Sequence, residues 1–318
     1  SGAPVSYRFM HDRVQEAADQ LLSDEERTIF QLEIGRQMLS DARRFEAQDK
    51  RIIDIVQYLN KGSEMIQSEN ELLELAELNL SAGRRARASA AFEQAYSFYL
   101  TGIRLLESDS WQRHYNLTLA LYEEGTEAAY LCGDYGNSEH FFESVLENAT
   151  SILDKVKVHE VKVMALMAEG RMQEAVRPGL DVLELLGMSI PENPNRESIE
   201  NEIQAVLELL DRKSNREILE QTELTDPVKL AIHRILGVVV MPAFHFYHNL
   251  HLLLAAKLVR LSVEFGNSEY SPMGYGLFGA MFGGVVPHMQ IANRMATLSL
   301  TLDKQLGAKE NQTRAALV

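Results

Sequence analysis

Gly133-Asp134-Tyr135-Gly136-Asn137-Ser138, followed by Phe142 and Val145, is the stretch on which the reading of this chain turns. Gly170-Arg171-Met172-Gln173-Glu174-Ala175 stands 37 residues further on and leads to Gly179 and Val182 in the same frame. Each begins at a glycine, the residue that most readily closes a helix in the left-handed conformation. Each then places small or apolar side chains at helical spacing. Outward from these two points the pattern continues. Leu72, Leu75, Ala76 and Leu80 share one helical face, as do Ile199, Ile203 and Val206, and no stretch alternates with a period of two. The breaks between such segments are short. Ser108-Asp109-Ser110 before Trp111 and Thr225-Asp226-Pro227 read as helix starts, and Gly187 followed by Pro191 and Pro194 reads as a stop. The chain is therefore predicted to be all-α.

Gly83, with Ala95, Tyr99 and Gly102 behind it, fits the same frame. Ala292, Ala296 and Ser299 fit it more loosely. Small residues at the first and third positions let two antiparallel helices approach closely. This is the helix-turn-helix logic of a tetratricopeptide repeat, whose period is about 34 residues, although the intervals here are longer. Three repeats are expected near 76–109, 119–152 and 156–189, with weaker pairs after Glu197, stacked into a right-handed α-solenoid. The expected organisation is a helical segment at 1–68, repeats at 69–190 and degenerate helical repeats at 191–318.

The 318 residues carry 31 Lys and Arg against 46 Asp and Glu, a net charge of −15, which argues against nucleic acid as a general partner. Apolar residues make up 46%, enough for a substantial core. The one cysteine, Cys132, excludes an intrachain disulfide and a cysteine-rich zinc site, and a reducing cytoplasm is the expected compartment. No signal peptide is evident at the N-terminus. Ser1-Gly2 reads as a residue of expression, so the chain is expected to be cut from something longer. From Asp226 onward 5 acids meet 8 bases (+3), so residues 1–225 carry −18. The apolar runs Ile235–Met241 and Leu252–Ala256 read as buried helices, too short to span a bilayer.

The opening Phe9-Met10-His11-Asp12-Arg13-Val14-Gln15-Glu16-Ala17-Ala18, with Ile34-Gly35-Arg36-Gln37-Met38-Leu39, resembles the end of the ATPase module (of the AAA/STAND type) in large multidomain signalling kinases. The likeness continues through Leu75–Arg84, Tyr130–Asp134, Leu224–Leu230 and Phe265–Ser268. Such proteins combine a serine/threonine-kinase-like domain, the ATPase, a helical repeat region, sensors and a histidine kinase. The resemblance implies that this chain is the repeat region between ATPase and sensors. It also implies that ATP belongs to other domains of the parent, with no cofactor here. Neither a G-x-x-x-x-G-K-[ST] phosphate loop nor a kinase motif set occurs in the chain.

The expected working surface is the groove lined by the first helix of each pair. Repeat positions 2, 5, 9 and 12 place Glu77, Leu80, Arg84 and Arg87 there, then Ala120, Glu123, Glu127 and Tyr130, then Lys157, Glu160, Met164 and Met167. A mixed groove of this kind suits a peptide or neighbouring domain. The leading reading is thus a non-catalytic scaffold relaying signals by contact with a protein partner or adjacent domains, without a nucleic-acid or membrane partner. One alternative is the inducer-sensing repeat domain of an ATPase-type transcription regulator. Another is a metal-dependent enzyme using the C-terminal histidines His233, His245, His248, His251 and His288. On one continuous helix, however, His245, His248 and His251 would spread over about 120° rather than converge. His11-Asp12 is a dyad too short to define a metal site. Gly274-Tyr275-Gly276-Leu277-Phe278-Gly279 matches G-x-G-x-x-G but lacks a preceding strand and a following acid. Close packing through Gly276, Ala280 and Gly284, or through Gly279 and Gly283, is expected instead. Cys132 has acidic neighbours in sequence, the wrong setting for a nucleophile. Finally, residues 308–318 read as the start of another first helix. An array cut there is expected to self-associate through residues 288–318.

Overall fold

The computed structural model describes residues 23–45, 48–284 and 289–307. The opening Phe9–Ala18 run, His288 and residues 308–318 lie outside the described residues. Among those described there is no strand, only an isolated backbone bridge between Glu223 and Asn267. Everything else regular is helix, joined by short turns.

The chain divides into two compact units, Ser1–Ser138 and Glu139–Val318. The first holds α1 (Asp24–Arg44), α2 (Gln48–Lys61), α3 (Glu69–Ala88), α4 (Phe92–Arg104), a one-turn α5 (Ser110–Arg113) and α6 (Tyr115–Leu131). The division falls within α7 (Tyr135–Asn148). The second holds α8 (Ile152–Ala168), α9 (Met172–Leu185), α10 (Arg196–Arg212), α11 (Asn215–Glu220), α12 (Pro227–Phe246), α13 (His248–Phe265), α14 (Ser271–Gly284) and α15 (Met289–Leu306).

The turn chemistry follows from the sequence. Gly133 and Gly170 both have φ +76°. At each, the amide two places after the helix cap reaches back five residues, Asp134 N–H to Ala129 at 2.9 Å and Arg171 N–H to Leu166 at 2.8 Å. The glycine amide itself bonds the carbonyl three residues back. That is the Schellman closure, which occupies carbonyls otherwise orphaned at a helix end. The α3–α4 turn makes the same two bonds with Ala90 at φ 58°, a non-glycine residue in the left-handed region. At the start of α12, Asp226 Oδ1 accepts from the Lys229 amide at 2.9 Å while Pro227 sits at a position needing no donor. The expected cap before Trp111 is not made. Asp109 precedes only the one-turn α5 and lies near Arg113 instead.

In unit 1, α1 packs on α2, α2 on α3, α3 on α4, and α4 on α6. Ile55, Leu75, Ala76, Tyr99 and Leu121 are fully or almost fully buried between them. A Cβ on Gly83 would stand 2.3 Å from the Tyr99 ring, so α3 and α4 meet where no side chain intervenes. Within that core Asn60 and Asn79 exchange two amide hydrogen bonds of 2.8 Å, the pairing a buried polar side chain requires.

In unit 2, α9 packs on α8 and α12, and α8 also touches α12. Helices α13, α14 and α15 follow in turn, each on its predecessor. A Cβ on Gly179 would fall 1.9 Å from Val239 Cγ2, so α9 and α12 cross in contact there. The pair α10–α11 breaks the sequence of hairpins; α10 lies on α13 and α11 on α15.

Helix α12 corrects one expectation. Pro242 does not interrupt it, and its 20 residues are long and apolar enough to cross a membrane by length and composition. Ile235, Leu236, Val239 and Val240 are nonetheless fully buried within the unit. Helix α14 corrects another in part, keeping the expected Gly279 and adding Gly274. The close approaches use Gly274, whose Cβ would meet Leu258 Cβ at 2.9 Å, and Gly279, whose Cβ would meet Met295 Cβ at 2.8 Å. Five residues place them about 140° apart, so α14 is pressed on two sides rather than one. Ala280 instead remains exposed.

Candidate functional site

Each unit contains a distinct cluster of the residues expected in the groove. In unit 1, Glu77 on α3 is exposed, whereas Arg84 and Arg87 engage α6. Arg84 Nε lies 3.4 Å from Glu124 Oε1, and Arg87 NH1 lies 3.2 Å from Glu124 and 2.8 Å from Glu127. The Tyr99 hydroxyl lies 3.5 Å from the second Glu124 oxygen. Burial, then the Glu124 charge, pushes the Tyr99 phenol well above its ordinary value. Glu123 and Tyr130 are half-buried on the same helix, and Tyr130 packs a tilted ring on Tyr135 at 6.4 Å. Glu124 is the residue that sequence reasoning missed. Its signal is the spacing: Arg84 and Glu124, like Arg87 and Glu127, stand 40 apart.

In unit 2, Lys157 is half-buried on α8, and the buried Glu160 forms an ion pair with Arg234 of α12. Met164 and Met167 continue that face into a cleft of about 580 Å³. Gly237, Val238, Met241 and Phe244 line it from α12, and His248, His251 and Leu252 from α13. Met273, Leu277, Ala280 and Met281 of α14 complete the wall. Among the described residues, no Asp, Glu, Lys or Arg lines the cleft. Phe244 is 60% and Met241 40% exposed at this cleft, large apolar side chains left in contact with water.

The C-terminal histidines do not lie on one helix. The chain breaks at Tyr247 (φ −129°, ψ 65°), which leaves His245 on α12 and starts α13 at His248. His245 and His248 are exposed. His251 is buried, with Nδ1 3.1 Å from the Val240 carbonyl and Phe244 edge-on at 5.1 Å. A carbonyl only accepts, so Nδ1 carries the proton and Nε2 a lone pair. His233 is fully buried elsewhere. Its Nε2 lies 3.1 Å from the Leu258 carbonyl and its Nδ1 2.7 Å from Ser268 Oγ. Desolvation lowers the pKa of His233 from 6.5 to about 4, and it lowers that of His251 as well. Both ring nitrogens of His233 are committed to the protein. No group of three or more His, Cys, Asp or Glu side chains converges among the described residues. Cys132 caps α6 half-buried, and burial, then Glu93 and Asp134, pushes its thiol up, away from the reactive thiolate.

Comparison with known proteins gives a distant similarity to hybrid signal transduction histidine kinase G of Dictyostelium discoideum. The two are 23% identical over 322 residues, spanning 86% of this chain and 9% of that protein. The similarity supports a helical region related to signalling kinases, and it fits a role in signalling. No family model and no solved structure matches the chain.

Proposed function

We propose that this chain is a non-catalytic helical repeat region of a large signalling kinase, relaying signals by contact with neighbouring domains or a protein partner. The observation that carries this is the similarity to a hybrid histidine kinase over most of the chain at only 9% of that protein's length. A stretch of that size, built of helix pairs, is suited to link modules rather than to be one of the catalytic ones. The left-handed turns at Ala90, Gly133 and Gly170, each joining two successive helices, support a tetratricopeptide-like arrangement in a right-handed α-solenoid. ATP in this reading is handled by other modules of the longer protein, and the compartment is the cytoplasm.

The face available for relay in unit 1 is the exposed side of α3, where Glu77 stands in solvent. Reversing the charge of Glu77 in the longer protein, Glu77→Arg, should alter autophosphorylation several-fold while the melting temperature of the isolated chain changes little. Unaltered phosphorylation would count against contact through this face.

A further inference from the structure

We propose that the cleft of the second unit binds a small, uncharged, largely apolar ligand bearing one hydrogen-bond donor, with Nε2 of His251 as the acceptor. This goes beyond the relay reading and does not rest on it. The cleft's volume, about 580 Å³, lies within the range of about 300–1,000 Å³ typical of small-molecule sites. Its described lining, with no Asp, Glu, Lys or Arg, disfavours ions on physical grounds. A carboxylate, phosphate or ammonium would surrender its hydration to walls whose described residues include no Asp, Glu, Lys or Arg as counter-charge. A neutral molecule remains.

The composition of the walls points the same way. Five of the chain's twelve methionines gather here, Met164, Met167, Met241, Met273 and Met281. Their unbranched, polarisable thioethers adapt to irregular or ring-shaped partners and make favourable sulfur–aromatic contacts. Were they there only to fill a core, Met241 would not be left 40% exposed at the cleft. Among the described residues, two polar side chains line the cleft, the exposed His248 and the buried His251, and His251 is the one held in orientation. The Val240 carbonyl holds its Nδ1 proton, Phe244 packs edge-on against its ring, and Nε2 makes no hydrogen bond within the described residues. Its neutral state at pH 7, maintained by burial, keeps that lone pair available for an O–H or N–H of the ligand.

The probe that tests this is N-phenyl-1-naphthylamine, neutral, aromatic, with one N–H and fluorescence that rises in apolar surroundings. The full 318-residue chain should bind it saturably at one site. It should bind 1-phenylnaphthalene, which lacks the N–H, about tenfold more weakly, and an anionic anilinonaphthalene sulfonate weaker still. Ala280→Phe enlarges an exposed side chain of the cleft wall, so it should leave the melting temperature near wild type and weaken the probe at least tenfold. His251→Asn should abolish the preference for the N–H compound while changing 1-phenylnaphthalene binding little. If His251→Asn fails to fold, the wild-type preference and Ala280→Phe decide. Absence of saturable binding, equal binding of the sulfonate, or undiminished binding by folded Ala280→Phe would overturn the proposal.

Discussion

Ala90 and Gly133 occupy equivalent places at the ends of first helices, yet one is strained and the other is not. A left-handed conformation costs a non-glycine residue about 1–2 kcal/mol, and Ala90 bears that strain at φ 58°. Ala90→Gly is expected to stabilise unit 1 by about 1 kcal/mol, after allowing for the extra freedom glycine has when unfolded. Gly133→Ala is expected to destabilise by a similar amount. A Cβ at Gly133 meets nothing within 4 Å, so strain alone operates there. Urea midpoints shifting in opposite directions would establish this; parallel shifts would refute it. The buried histidines make a second residue-scale prediction. Between pH 6.5 and about 4 the unfolded chain binds a proton that folded His233 refuses. The stability contributed by this group is thus complete above pH 6.5 and lost as pH falls towards 4, about 3 kcal/mol in all. His159 and His251 shift in the same direction, with burial the first cause in each. The melting temperature should accordingly fall across this window. His233→Gln, less stable overall, should fall less steeply, and an unchanged slope would eliminate His233 as a contributor.

Among the helices, α14 is the one whose packing depends most directly on missing side chains. Gly279→Leu would drive a branched side chain into Met295 and the Ala292 carbonyl, and a loss of about 1–3 kcal/mol is expected from overpacking. Ala280→Leu, one residue on but exposed, should change the denaturation midpoint by no more than about 0.5 kcal/mol. Equal effects of the two would show that α14 is not held against α15 at Gly279. The adjacent α12 illustrates the converse. Its near-continuous apolar surface is explained by burial against α8, α9 and α13, which places neighbours on several sides of it.

For the whole chain, the relay reading predicts that the isolated protein neither binds nor hydrolyses ATP. Calorimetric titration with Mg-ATP should show no stoichiometric heat, and phosphate release should match a buffer blank. A single saturable site would contradict the non-catalytic assignment. The groove residues also take on a different meaning at this scale. Arg84, Arg87 and Glu127 are committed to one another and to Glu124, and Glu160 to Arg234, so much of the expected mixed surface is neutralised inside the protein. Glu77 remains exposed, while Met164 and Met167 form part of an apolar wall.

The all-helical character, the turn positions at Gly133 and Gly170, and the start of α12 at Pro227 were legible from sequence because they are local. Helical periodicity, the conformational freedom of glycine and the missing amide of proline act within a few residues of themselves. The left-handed Ala90 escaped notice because alanine carries no turn signal, and the break at Tyr247 has no glycine or proline to announce it. What only the tertiary structure decided was partnership. Whether Arg87 faces solvent or Glu124 depends on where a helix 40 residues away comes to rest. Which glycines of α14 are pressed depends on α13 and α15, and the union of five methionines with His251 depends on α8, α12, α13 and α14 meeting. Periodicity specifies that a face is apolar, but the partner across it is chosen by the packing of the unit, since hydrophobic attraction has no direction of its own.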